Sequence, residues 1–171
     1  MPDTFIKIAS VTVGSGGAAS IDFTSIPSTY TDLIIKATSR NTSTAGAAWN
    51  YFKLKPNGLS TNLSYRFVYG VGTSAASDLG TGNLIGGYSN DSSSTANTFG
   101  SSDIYIPNYA GSNYKSISSD SVTENNDTSA IAVLSANLWS DTAAITSITL
   151  EQATGNFAQY STFYLYGIKN S

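Results

Sequence analysis

The stretch Ala130 to Ile168, AIAVLSANLWSDTAAITSITLEQATGNFAQYSTFYLYGI, reads as three strands in succession. Ile131 and Val133 alternate with Ala132 and Leu134, so both faces are apolar enough to be covered. Trp139 and the turn-forming pair Ser140-Asp141 end the run. Ile145, Ile148 and Leu150 mark a second run, rich in β-branched residues. Ala153-Thr154-Gly155-Asn156 is a short turn into a third run, Phe157 to Ile168. There Phe157, Phe163 and Leu165 share one parity, and Tyr160, Tyr164, Tyr166 and Ile168 share the other. Short turns between such runs predict a central β-meander whose last strand is tied into a sheet.

Working outward, Phe5 to Val13 is a first strand closed by Gly14-Ser15-Gly16-Gly17, and Ala18 to Phe23 is expected to pair back on it. Pro27 restricts Ile26 and leads into a third strand, Asp32 to Arg40. Trp49 to Lys55 is a strand ended by Pro56-Asn57-Gly58, since Asn-Gly readily takes positive φ. Tyr65, Phe67, Tyr69 and Val71 alternate with lighter residues and form an aromatic face. Thr73 to Thr98 thins into Ser, Gly, Ala and Asn and reads as a surface excursion holding one short strand. Asp103 to Ile106 resumes strand character, and the weak alternation of Lys115 to Thr123 suits an edge or one-sided strand. Nine to eleven short strands without helical periodicity predict a single all-β domain over residues 1–171. The expected architecture is an antiparallel two-sheet sandwich, jelly-roll-like.

Composition narrows the function classes. A chain of 171 residues can bury roughly 70% of its extended surface without staples. It contains no Cys and no His, so a thiol nucleophile, the usual general base near neutrality and the commonest metal ligand are all missing. The expectation is a non-enzymatic protein without cofactor or metal. Charged residues make up only 11%, against about 25% in average soluble domains, and the net charge is -3. No basic footprint for nucleic acid exists, and no apolar run is long enough to span a membrane as a helix. Pro2 and Asp3 stand where a signal peptide needs a basic segment and then an apolar one.

Few residues point to a site. Asp120, Glu124 and Asp127 form an oxygen-rich loop, but the spacing lacks the order of a calcium loop, and a solvated turn is the expectation. The isolated carboxylates Asp22, Asp32, Asp103, Asp141 and Glu151 propose no glycosidase pair. Trp49, Tyr51, Tyr65 and Trp139 fit a sugar-stacking platform or, as the commoner use in a sandwich, core packing. Tyr109 and Tyr114, flanked by Asn108, Ala110, Gly111, Ser112 and Asn113, are the candidate partner or glycan contacts.

Three segments carry a resemblance: IDFTSIPSTYTDLIIKATSRN at Ile21 to Asn41, NTFGSSDIYIPNYAGSNYKSISSDSVTENN at Asn97 to Asn126, and LWSDTAAITSITLEQATGNFAQYSTFYLYGIK at Leu138 to Lys169. They resemble virion proteins of tailed phages of marine and cyanobacterial hosts, a group described as capsid decoration or tail-fibre components. The resemblance covers more than half of the chain and is weakest over Thr42 to Ala96. It implies a structural protein of the virion. No shaft or coiled coil precedes the first strand, and a domain opening on Met suits binding to a lattice already built. The implied role is therefore a capsid decoration (cement) protein on the outer head surface, a homotrimer contacting the major capsid protein lattice. The alternative is a tail-fibre or receptor-binding tip recognising host glycans.

Overall fold

The computed structural model describes residues 4–44, 48–126 and 129–169. Among them are twelve strands: β1 (Phe5–Thr12), β2 (Ser20–Phe23), β3 (Asp32–Ser39), β4 (Trp49–Pro56), β5 (Leu63–Val71), β6 (Ser74–Thr81), β7 (Leu84–Asn90), β8 (Gly100–Ile106), β9 (Lys115–Val122), β10 (Ile131–Trp139), β11 (Ile148–Gln152) and β12 (Thr162–Ile168). They form an eight-stranded sheet, β1-β12-β3-β8-β9-β10-β5-β6, and a four-stranded sheet, β2-β11-β4-β7. Every pairing of neighbouring strands is antiparallel. The fold is thus an all-β, two-sheet sandwich.

Period-two alternation puts Leu33, Ile35, Ile104, Ile106, Phe163 and Leu165 of the large sheet inward, against Phe52, Leu54, Ile148 and Leu150 of the small one. Phe52, Phe157 and Phe163 meet edge to face at the centre, with centroids 4.8–6.3 Å apart. Four strands, β1-β12-β3-β8, lie opposite β2-β11-β4-β7. The remaining four come from two insertions in the chain, β5–β6 between β4 and β7, and β9–β10 between β8 and β11. Both extend the large sheet on the β8 side, so that it overhangs its partner.

Several expectations are corrected by this topology. Strands β10, β11 and β12 exist where the alternation puts them, but they do not form a meander. β10 pairs with β9 and β5, β11 with β2 and β4 in the other sheet, and β12 with β1 and β3. β2 pairs with β11 rather than folding back on β1. Only one face of β10 is covered, since Leu134 is exposed. The Ser/Gly-rich excursion contains two strands, and the second of them, β7, is buried throughout. β9 is one-sided, as its alternation suggests, but it is an interior strand between β8 and β10 rather than an edge.

The burial of β7 and the polarity of β9 have one physical cause. β7 borders the small sheet, pairing only with β4, and its other edge lies under the large sheet, where water cannot reach its backbone. Side chains of the large sheet supply the partners. The Ile85 N–H donates to Asn137 Oδ1 at 2.8 Å, and the Ile85 carbonyl accepts from Ser119 Oγ at 2.9 Å and Asn137 Nδ2 at 3.1 Å. The Tyr88 N–H is shared between Ser121 Oγ at 3.2 Å and Ser102 Oγ at 3.4 Å. Gly87 permits this approach, because a Cβ there would collide with Ser102 and the Phe52 ring. Near one end of the sandwich a second polar chain ties the sheets together. Ser39 and Ser89 share a 2.6 Å hydroxyl contact, Gln152 donates to Ser89 at 2.8 Å, and Asn41 donates to Gln152 at 2.7 Å.

Candidate functional site

Within the overhang, the inner face of β5 meets the small sheet mainly at its border strand β7. That face carries Tyr65, Phe67, Tyr69 and Val71, all half-buried. It curls toward Trp49 and Tyr51 of β4 and Tyr88 of β7, with Ile85 and Ile131 beneath. A cleft of about 400 Å³ results, with Asp78 of β6 on its rim as the one charged residue among the described residues that line it. Its rings form two groups. Trp49 and Tyr51 lie 5.6 and 6.2 Å from Tyr88, while Tyr65, Phe67 and Tyr69 follow one another along β5 at 5.8 and 5.6 Å. Tyr65 lies across Gly80 of β6, where any side chain would strike its ring.

Among the described residues the cleft is therefore an aromatic trough with phenol hydroxyls, one carboxylate and no cation. The Trp49 indole N–H is buried and has no acceptor among the described residues. Large rigid rings with a few placed polar groups suit a ligand that is apolar on its faces and hydroxylated at its edges. No protein-family model matches the chain, and no curated protein matches it. The chemistry of the cleft must therefore be read from its own residues.

Burial pushes the Tyr88 hydroxyl far above the ordinary phenol range, and the neighbouring Tyr51, Tyr65, Tyr69 and Asp78 add to this. Burial is also the main cause for Tyr65, followed by Tyr51 and Asp78. Tyr109 is raised chiefly by burial, and Tyr105 chiefly by its hydrogen bond to Asp32. Tyr65 and Tyr88 of the cleft stay neutral donors through the physiological range. The linkage has a definite sign. A phenol whose folded pKa exceeds its unfolded value of about 10 keeps its proton while the unfolded chain loses one. Stability is then fully present below pH about 10 and is lost as the pH rises beyond it. The melting temperature is expected to hold up to that point and to fall on the alkaline side. The fall should be weaker in Tyr88→Phe relative to its own neutral-pH value.

The residues singled out in the sequence fall in different places. Trp49, Tyr51 and Tyr65 line the cleft, whereas Trp139 is fully buried in the core. Trp139 packs beneath buried Lys115, whose Nζ lies 5.5 Å from the ring and donates to the carbonyls of Gly111 and Ala143. Tyr109 is 0% exposed and its hydroxyl donates to the Pro27 carbonyl, so the expectation of a contact residue is corrected there. Its ring belongs to the same buried cluster as Ile26, Ile106 and Ile117 and so anchors the loop to the core. Tyr114 is 57% exposed and lies apart from the cleft-lining residues. Glu124 accepts the N–H groups of Asn125 and Asn126 as a turn cap, and Asp127 lies outside the described residues. Among the described residues no three acidic side chains converge as metal ligands.

A second surface is the outer face of the overhang. Val68, Leu79, Val122 and Leu134 stand 51–59% exposed on four adjacent strands, among Ala75, Ala132 and Ala136. Leu134 sits directly beside Val68 on one side and Asp120 on the other.

Proposed function

We propose that this chain is a non-enzymatic structural protein of a phage virion that recognises host-surface carbohydrate through the aromatic cleft. The observation that carries the reading is the convergence of Trp49, Tyr51, Tyr65, Phe67, Tyr69 and Tyr88 around a solvent-open trough with a carboxylate at its rim. A pyranose ring offers C–H faces to such rings and hydroxyls to Asp78 and the tyrosines. The lack of His and Cys supports a site that binds without turnover. We further infer a jelly-roll class for the fold, because β1-β12-β3-β8 facing β2-β11-β4-β7 is the interleaved order of a rolled double Greek key.

A second reading, capsid decoration, is favoured by the outer apolar face, which offers a neutral protein-binding surface. The two readings separate on the particle. Electron cryomicroscopy of the virion is expected to find few copies, confined to the tail, for a glycan-recognising tip. Hundreds of copies on the head would replace it with the decoration reading. Binding itself is tested with the purified protein on immobilised host polysaccharide, where retention is expected. Absence of retention on every host glycan fraction would refute carbohydrate recognition.

A further inference from the structure

The overhang ends in β6, and β6 is an open edge of an unusual kind. Its eight residues are exposed apart from half-buried Gly80, and they contain no Pro, Lys or Arg. They pair with β5 without a bulge from Val71↔Ser74 to Ser64↔Thr81. The other borders are protected. β1 carries Lys7 and a register shift between Lys7 and Ala9, β2 has only four residues, and β7 is covered by the large sheet.

The alternation of the hairpin fixes which backbone groups β6 leaves open. The Gly82 N–H donates to the Leu63 carbonyl, continuing a ladder in which odd residues of β5 bond even residues of β6. The N–H and C=O groups of Ala75, Ser77, Leu79 and Thr81 therefore point away from β5, the Leu79 N–H donating meanwhile to Asp78 Oδ1 at 2.7 Å. They form a solvent-facing row that a second strand can pair with as a set, the Leu79 N–H exchanging its carboxylate acceptor for a backbone carbonyl.

We propose that β6 pairs antiparallel with β6 of a second copy, about a two-fold axis at Ser77, joining two large sheets into one. The side chains select this register. A two-fold axis perpendicular to the sheet pairs residues of equal parity. Centring it on Asp78 would put two carboxylates directly opposite, which is unfavourable. Centring it on Ser77 puts Asp78 against Ala76 and Leu79 against Ala75, and keeps Ser74 to Gly80 paired throughout. The apolar outer faces, with Leu79 next to the junction, become continuous across it. This two-fold pairing stands in place of the threefold association expected from the sequence. It also leaves both aromatic clefts on the same side of the joined sheet. The two β5 strands are then three strand spacings, about 14 Å, apart. On the carbohydrate reading, on which this last point alone rests, one polymer would engage two clefts, raising apparent affinity by about a hundredfold.

The chain has no Cys, so a single introduced thiol reports the register. Ser77→Cys is expected to cross-link into a covalent dimer under mild oxidation, its two Cα atoms lying about 5.5 Å apart. Ala75→Cys, facing Leu79 of the second copy, should not cross-link. Sedimentation velocity of the wild-type chain is expected to show a dimer that Ser77→Pro converts to monomer, since proline removes only an outward N–H. Ser77→Lys serves the same end through like charges at the axis, without touching the backbone. A wild-type chain that stays monomeric, equal cross-linking of the two cysteine variants, or dimers surviving in both Ser77→Pro and Ser77→Lys would overturn the pairing.

Discussion

Replacing Asn137 by Leu is expected to destabilise the protein by about 2–3 kcal/mol, although the new side chain is of similar size and more apolar. Asn137 is buried on β10 and its amide is used at both ends, accepting from the Ile85 N–H and donating to the Ile85 carbonyl. Leucine leaves the N–H with no partner in a place that water does not reach, and a buried orphan donor costs about 1–3 kcal/mol. The carbonyl keeps Ser119 and suffers less. For a chain of this length the change corresponds to a fall of roughly 5–10 °C in melting temperature. Leu134→Ser on the exposed face of the same strand should stay within about 0.5 kcal/mol. Urea denaturation of the two variants measures the difference. Equal midpoints for Asn137→Leu and the wild-type chain would mean that the β7 edge does not depend on this amide.

The same contact explains which parts of the fold the sequence made legible. Strands with one face on apolar neighbours, such as β3, β8, β10 and β12, announce themselves by Leu33/Ile35, Ile104/Ile106, Ile131/Val133 and Phe163/Leu165 at spacing two. β7 is obscured and β9 only weakly marked, because their contact with one another is polar. Ser119 and Ser121 face inward to serve backbone groups of β7, and Gly87 of LIGGYSN makes room for Ser102, which serves the same edge. Hydroxyls directed at a buried edge look, in sequence, like hydroxyls directed at water. Pairing was hidden for another reason. Adjacent strands such as β10, β11 and β12 alternate between sheets, and short-range turn signals carry no information about that crossing. The cleft was half visible. Tyr65, Phe67 and Tyr69 declare an aromatic face, and Trp49 and Tyr51 were candidates. Their meeting depends on the overhang, and Tyr88 lies in a polar segment that reads as a surface excursion. Tyr109 shows the reverse error, a ring between loop-forming neighbours that the core takes up.

Carbohydrate binding, finally, is expected to fall about 10–100-fold in Trp49→Ala, equivalent to about 1.4–2.8 kcal/mol. Trp49 is half-buried at the mouth of β4, edge to face with Tyr88, so its ring is exposed on one side and held on the other. A ring held in this way loses little side-chain freedom when a ligand stacks on it, which is why such residues dominate binding energies. Tyr51→Ala should act in the same direction, because it removes the other ring packed on Tyr88. Asp78→Asn keeps the shape of the rim while removing its charge and turning one acceptor oxygen into a donor, and it separates polar contact from stacking. Tyr114→Ala is the decisive control. It removes the exposed loop aromatic that sequence reasoning favoured, without touching the cleft. Isothermal titration with oligosaccharides released from the host surface gives all four affinities, and thermal melting shows whether each variant remains folded. Loss of binding in Trp49→Ala and Tyr51→Ala with retention in Tyr114→Ala assigns the ligand to the cleft. Loss in Tyr114→Ala with retention in the other two would move the site to the Asn108–Tyr114 loop and leave the cleft as packing.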